Sequence, residues 1–106
     1  MTDIKLALKH PNIKWLAKHL NHLAENIIFK KRNISFLAIN ELFRQKNYVI
    51  ERSKPPFSES FIIKGYVPLL PNDKLRIKDD ELSVVFYIDY QNNIIVITAY
   101  GESDEN

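Results

Sequence analysis

The apolar residues change their period once along the chain. Through about residue 46 they recur at steps of three and four, and after Pro55-Pro56 they alternate. The first spacing lines one face of a helix and the second one face of a strand. Ile4 to Lys9 is a short helical segment that Thr2 or Asp3 caps and Pro11 stops, since proline lacks the backbone donor. Asn12 then caps a longer predicted helix with the stripe Ile13, Leu16, Leu20, Leu23 and Ile27. Beside that stripe runs a second row, Trp15, His19, His22 and Asn26, which is neither plain core nor plain surface. Lys30, Lys31, Arg32 and Asn33 close the helix, where cations suit the negative end of its dipole. Ser35 is the expected N-cap of a third helix reaching about Gln45, with Ile34 and Ile39 as a hydrophobic staple across its start.

Four strands follow from the alternating half: Tyr48 to Arg52, Glu59 to Val67, Leu82 to Tyr90 and Ile94 to Tyr100. The last two are the longest and richest in β-branched and aromatic residues. Asn92-Asn93 suits a two-residue hairpin loop, because asparagine tolerates positive φ. Pro68 to Glu81 is polar, contains Pro71-Asn72-Asp73 and reads as a loop or hairpin tip. The expected fold is α+β, with two or three N-terminal helices packed on an antiparallel sheet of about four strands. A chain of 106 residues can bury one core, so a single domain over 1–106 is expected. Its helical part covers about 1–46 and its sheet part about 47–101, ahead of a short acidic tail at 102–106.

A two-residue loop fixes a register. It sets Tyr90 opposite Ile95, Ile88 opposite Ile97 and Phe86 opposite Ala99, an apolar face for the helices to cover. The opposite face then pairs Asp89 with Val96, Tyr87 with Thr98 and Val85 with Tyr100. On the preceding strand Phe61, Ile63 and Val67 share one face and Ser60, Ile62, Lys64 and Tyr66 the other; alternation alone leaves open which face meets the helices, and the apolar set has the character of core. The second face is therefore mixed. Tyrosine and threonine are good strand formers on any half-exposed surface. With Lys64 and Ser60 nearby, they also offer hydroxyls, rings and a cation to a phosphate or an RNA base.

Composition narrows the chemistry. The chain is 45% apolar and 26% charged, which is globular rather than disordered. Without cysteine it has no disulfide, no thiolate zinc site and no cysteine nucleophile, and it fits a reducing, cytoplasmic setting. No apolar run reaches the length of a membrane span, so no membrane partner is expected. Two glycines exclude a glycine-rich phosphate loop, and Asp79-Asp80-Glu81 lacks the ligand spacing of a calcium loop. The net charge of +2 hides a split. Residues 1–54 carry eleven Lys and Arg against four acids, or +7, and residues 55–106 carry four against nine, or −5. Such asymmetry points to a polyanion on the basic side.

His19 and His22 stand three apart on one helix face. Two histidines at that spacing can start a metal site, but no third ligand is evident and no metal or other cofactor is expected. A single histidine acting as acid or base is the more natural chemistry, because its ordinary pKa lies near neutrality. Lys30, Lys31 and Arg32 form the densest basic cluster, suited either to a solvated helix end or to phosphate contacts. Metal-free acid–base chemistry is the enzyme class left open, and RNA is a natural candidate for it, since its 2′-hydroxyl supplies a nucleophile that DNA lacks.

The order of elements, with Phe61-Ile62-Ile63-Lys64-Gly65, Leu82-Ser83-Val84-Val85-Phe86-Tyr87-Ile88-Asp89 and Ile95-Val96-Ile97-Thr98-Ala99-Tyr100, resembles the barnase–EndoU–colicin–RelE superfamily. It is most similar to BrnT toxins and a related family of uncharacterised domains, over roughly residues 19–102. The resemblance implies a toxin-type, metal-independent ribonuclease with a cognate antitoxin or immunity protein. By position it implies catalytic roles for His22, Thr98 and Tyr100. It also implies phosphate contacts from Lys30 or Arg32. Lys64 would stabilise the transition-state phosphate, and Tyr87 would contact RNA. The alternative expectation is a non-enzymatic binding protein, either an immunity protein or an inactive relative that binds RNA or protein.

Overall fold

The computed structural model describes residues 4–24, 34–53, 59–74 and 80–101. The elements in chain order are α1 (Ile4–Lys9), β1 (Ile13–Lys14), α2 (Ala17–Leu23), α3 (Phe36–Arg44), β2 (Val49–Arg52), β3 (Phe61–Val67), β4 (Asp80–Ile88) and β5 (Ile94–Gly101). The strands form one sheet in the order β1-β5-β4-β3-β2. All neighbours are antiparallel except β1, which lies parallel to β5. The fold is α+β, with helices packed on the sheet, as the change of period predicts.

Two helix expectations hold closely. The first helix spans Ile4–Lys9. The third starts at its predicted cap: Ser35 has extended backbone, and its Oγ accepts from the Ala38 amide at 3.1 Å. Ile34 and Ile39, the predicted staple, are both buried. The second helix differs. Ile13 and Lys14, read as its first turn, form β1 instead, opposite Ile94 and Ile95. The Ile94 amide donates to the Asn12 carbonyl at 2.9 Å. An edge of β5 offered these residues backbone partners that no local pattern reveals, and the helix starts only at Ala17. Among the described residues the sheet accordingly has five strands, one more than the four read from the sequence. Ile27, Lys30, Lys31 and Arg32 lie outside the described residues.

The core lies between α3 and the sheet. Ala38, Ile39, Leu42 and Phe43 of α3 pack with Ile63, Val67, Leu82, Val84 and Phe86. Phe43 meets Phe86 edge-on with ring centroids 5.1 Å apart, and the tilted Phe61 ring stands 5.8 Å from Phe86. Such pairs add about 0.5–1.5 kcal/mol beyond the area they bury. Phe61, Ile63 and Val67 take the core side as expected, Phe61 at its margin. Trp15 closes one end of the core against Phe36 at 4.4 Å.

The β4–β5 hairpin does not keep the register of a two-residue loop. Its pairs are Ile88 with Ile94, Tyr87 with Ile95, Phe86 with Val96, then Val85 with Thr98, Val84 with Ala99, Ser83 with Tyr100 and Leu82 with Gly101. The loop is longer because Asp89 organises it. The Asp89 amide donates to the Asn93 carbonyl at 3.1 Å, and the Asn92 amide to the Asp89 carbonyl at 3.0 Å. Asn92 takes a φ of 63°. This is a three-residue loop ending in a left-handed residue. The Asp89 carboxylate accepts from the amides of Gln91 and Asn93 and from Asn93 Nδ2. Those bonds, that from the Asn93 amide above all, hold its pKa below the ordinary value. Tyr90 is consequently 90% exposed at the turn and takes no part in the core face.

A bulge then absorbs Ile97, since Val96 and Thr98 face consecutive residues of β4. The core face carries Ile94, Val96 and Ala99 rather than Ile95 and Ile97. Asp80 and Glu81, expected in a loop, begin β4 opposite Val67 and Tyr66. No helix among the described residues is long and apolar enough to cross a membrane.

Candidate functional site

The mixed face of the sheet is assembled by register. Lys64 lies opposite Ser83, and Ser83 opposite Tyr100, so the three form one row across β3, β4 and β5. One row along, Ile62, Val85 and Thr98 align in the same way. Tyr87 follows on β4, beside Ile95. Thr98 and Tyr100 thus share this face as expected, but the longer loop and the bulge together give each one a different cross-strand partner.

Helix α2 brings both of its histidines to this face. Their three-residue spacing puts them on one side of the helix. The His22 Nε2 lies 3.1 Å from Thr98 Oγ1, a hydrogen bond between residues far apart in sequence. His22 is an exposed residue. One nitrogen is therefore anchored on the sheet in a residue that is exposed as a whole. An imidazole held in this way can take or give a proton at a bound substrate.

His19 plays a different part. Its ring stands edge-on to Tyr87, with centroids 6.3 Å apart. Its Nε2 is buried and has no hydrogen-bond partner among the described residues. Burial, then the charge of Lys18 and the neighbouring His22, lower its pKa below 6.5. The neutral ring is the one that fits there. The sequence placed His19 beside His22 but gave no sign that it would meet Tyr87, because that contact joins α2 to β4.

The expected site residues divide into three groups. His22 and Thr98 are joined directly, and Tyr100 follows two positions along β5 on the same face. Tyr87 is on that face too, half-buried against His19. Lys64 is not brought to them. Its Nζ pairs with Glu51 Oε2 at 3.1 Å, on β2, and so leans away from β5. Two strand spacings separate the backbones of Lys64 and Tyr100, about 10 Å. Lys30 and Arg32 lie outside the described residues. Among the described residues no group of three or more His, Asp or Glu is arranged to hold a metal ion. No family model, curated protein or solved structure matches the chain.

Proposed function

We propose that this chain is a toxin-type, metal-independent endoribonuclease of the barnase–EndoU–colicin–RelE kind, working in the cytoplasm where α2 meets β5. The observation that carries this reading is the His22–Thr98 hydrogen bond, which fixes the imidazole of an exposed residue on the tyrosine-bearing sheet face. His22 removes the proton from an RNA 2′-hydroxyl. The 2′-oxygen then bonds to the adjacent phosphorus as the bond to the 5′-oxygen breaks. The leaving oxygen takes a proton, which the Tyr100 phenol, two positions beyond Thr98 on the same strand face, would supply. Thr98 orients the ring, and the basic first half of the sequence supplies the attraction for the polyanion. A protein partner would restrain the activity.

A second reading follows from Lys64. Its engagement with Glu51 removes from His22 the cation that a transition-state phosphate would use. A domain that binds RNA or protein without cleaving it needs no such cation. Incubating the purified protein with total RNA in EDTA separates the readings. The nuclease reading expects defined fragments ending in cyclic phosphate. It also expects a loss of about 10²–10⁴-fold in His22→Ala, the usual contribution of an acid–base group. Because His22 is exposed, its loss should lower stability by no more than the hydrogen bond to Thr98 contributes, about 0.5–1.5 kcal/mol. RNA retention without fragments would favour the binding reading, and neither cleavage nor retention would remove RNA from both.

A further inference from the structure

Strand β2 ends the sheet, and its outer edge has a definite hydrogen-bonding pattern. The Ser53 amide donates to the Ser60 carbonyl at 3.1 Å, one step beyond the Arg52–Phe61 pair. Hydrogen-bonded pairs alternate along an antiparallel ladder. Ser53, Glu51 and Val49 therefore turn their backbone groups toward β3, and Ile50 and Arg52 turn theirs outward. Among the described residues no strand meets that edge.

The side chains along the edge form an ordered pattern. On the mixed face Val49 is 62% exposed, and Glu51 follows it with half its side chain exposed. On the core face Ile50 is half-buried, and Arg52 lies over the Phe61 ring at 5.3 Å. A strand laid beside β2 places its side chains on the same faces as those they oppose. It would meet apolar, apolar, acidic and basic positions in turn.

We infer that β2 is a docking edge for an extended segment of a partner protein. That segment adds antiparallel as a sixth strand and reads acidic, basic, apolar, apolar from its N-terminus. The backbones of Ile50 and Arg52 bond to it. Its basic residue meets Glu51, whose carboxylate has acceptor capacity beyond Lys64, and its acidic residue meets Arg52. Its two apolar residues cover Ile50 and Val49. A second copy of this chain fits poorly. Antiparallel pairing about Ile50 sets Glu51 against Val49, and pairing about Glu51 sets two carboxylates face to face. The short, charged edge resists indiscriminate pairing and rewards a complementary sequence. This surface is three strands from the α2–β5 site, so the inference stands apart from the ribonuclease reading.

The probe is a synthetic peptide of about ten residues, Asp-Lys-Val-Val flanked by threonines, titrated into the intact protein and followed by NMR and amide exchange. Saturable binding is expected, with exchange at Ile50 and Arg52 slowed about tenfold or more at saturation, as for amides newly bonded in a sheet. Glu51→Gln should weaken binding about two- to fivefold, the range of an exposed ion pair. A scrambled peptide should bind detectably worse. No saturation at millimolar peptide would overturn the inference. So would equal binding of the scrambled peptide, or binding that leaves both amides unprotected. A free protein that is already dimeric and protected at these amides would assign the edge to a second copy instead.

Discussion

Gly65 lies where α3 approaches the sheet closely. A Cβ built there would stand 2.8 Å from Leu42 Cδ1 and 2.9 Å from both the Asn47 carbonyl oxygen and Gln45 Nε2. That Gln45 amide donates to the carbonyls of Asn47 and Tyr66, so it is not free to withdraw. Gly65→Ala should therefore destabilise the fold by about 1–3 kcal/mol, as overpacking does, read as a lower denaturant midpoint with an unchanged slope. His19 carries a second residue-scale expectation. Its folded pKa lies below the unfolded value of 6.5, so the folded state binds fewer protons. Its contribution to stability is complete above about pH 6.5 and is lost as pH falls through the lowered folded value. His19→Gln, which cannot charge, should show a flatter fall in stability between about pH 7 and 5. Equal slopes in the two proteins would exclude His19 as the group responsible. Neither site could be read from the sequence. The glycine was visible, but Leu42 above it was not, and the histidine gave no hint of Tyr87.

At the scale of elements, the cap of α3 was legible because its parts are local. Ser35 ties the helix to the chain beyond it as well: its hydroxyl donates to the Asp73 carboxylate, and both residues are buried. Ser35→Ala removes the bond to the Ala38 amide and one donor to Asp73, and should cost about 2 kcal/mol. Chemical denaturation measures the loss. Faster amide exchange at the start of α3 than at its end would locate it. The β4–β5 hairpin shows the converse. Asn92 does adopt the left-handed conformation that its residue type suggested. The loop nevertheless closes on Asp89, whose carboxylate gathers three donors that a two-residue loop would not present. One bulge further along returns Thr98 and Tyr100 to the mixed face. The expectation for that face therefore holds although the pairing behind it does not.

Across the whole molecule, the charge split takes on a shape. The basic first half supplies α1, α2 and α3 and also β1 and β2, the two edges of the sheet among the described residues. The acidic second half supplies the three central strands. The first half of the sequence thus borders both sides of the sheet instead of collecting at one end. The α2–β5 site lies beside one edge and the β2 docking surface along the other. An anionic ligand and a strand-forming partner would approach from opposite sides.

Sequence by itself determined the α+β class, the change of period, the capped start of α3, the core side of β3 and the mixed character of the opposite face. Each follows from residues within a few positions of one another, where propensity and periodicity act. Tertiary structure alone decided that Ile13 and Lys14 pair with β5, that His22 meets Thr98, and that Lys64 turns to Glu51. Those outcomes depend on which distant backbone edge or side chain is within reach once the core has closed. A hydrogen bond or ion pair of that kind forms only when packing has already brought its partners together.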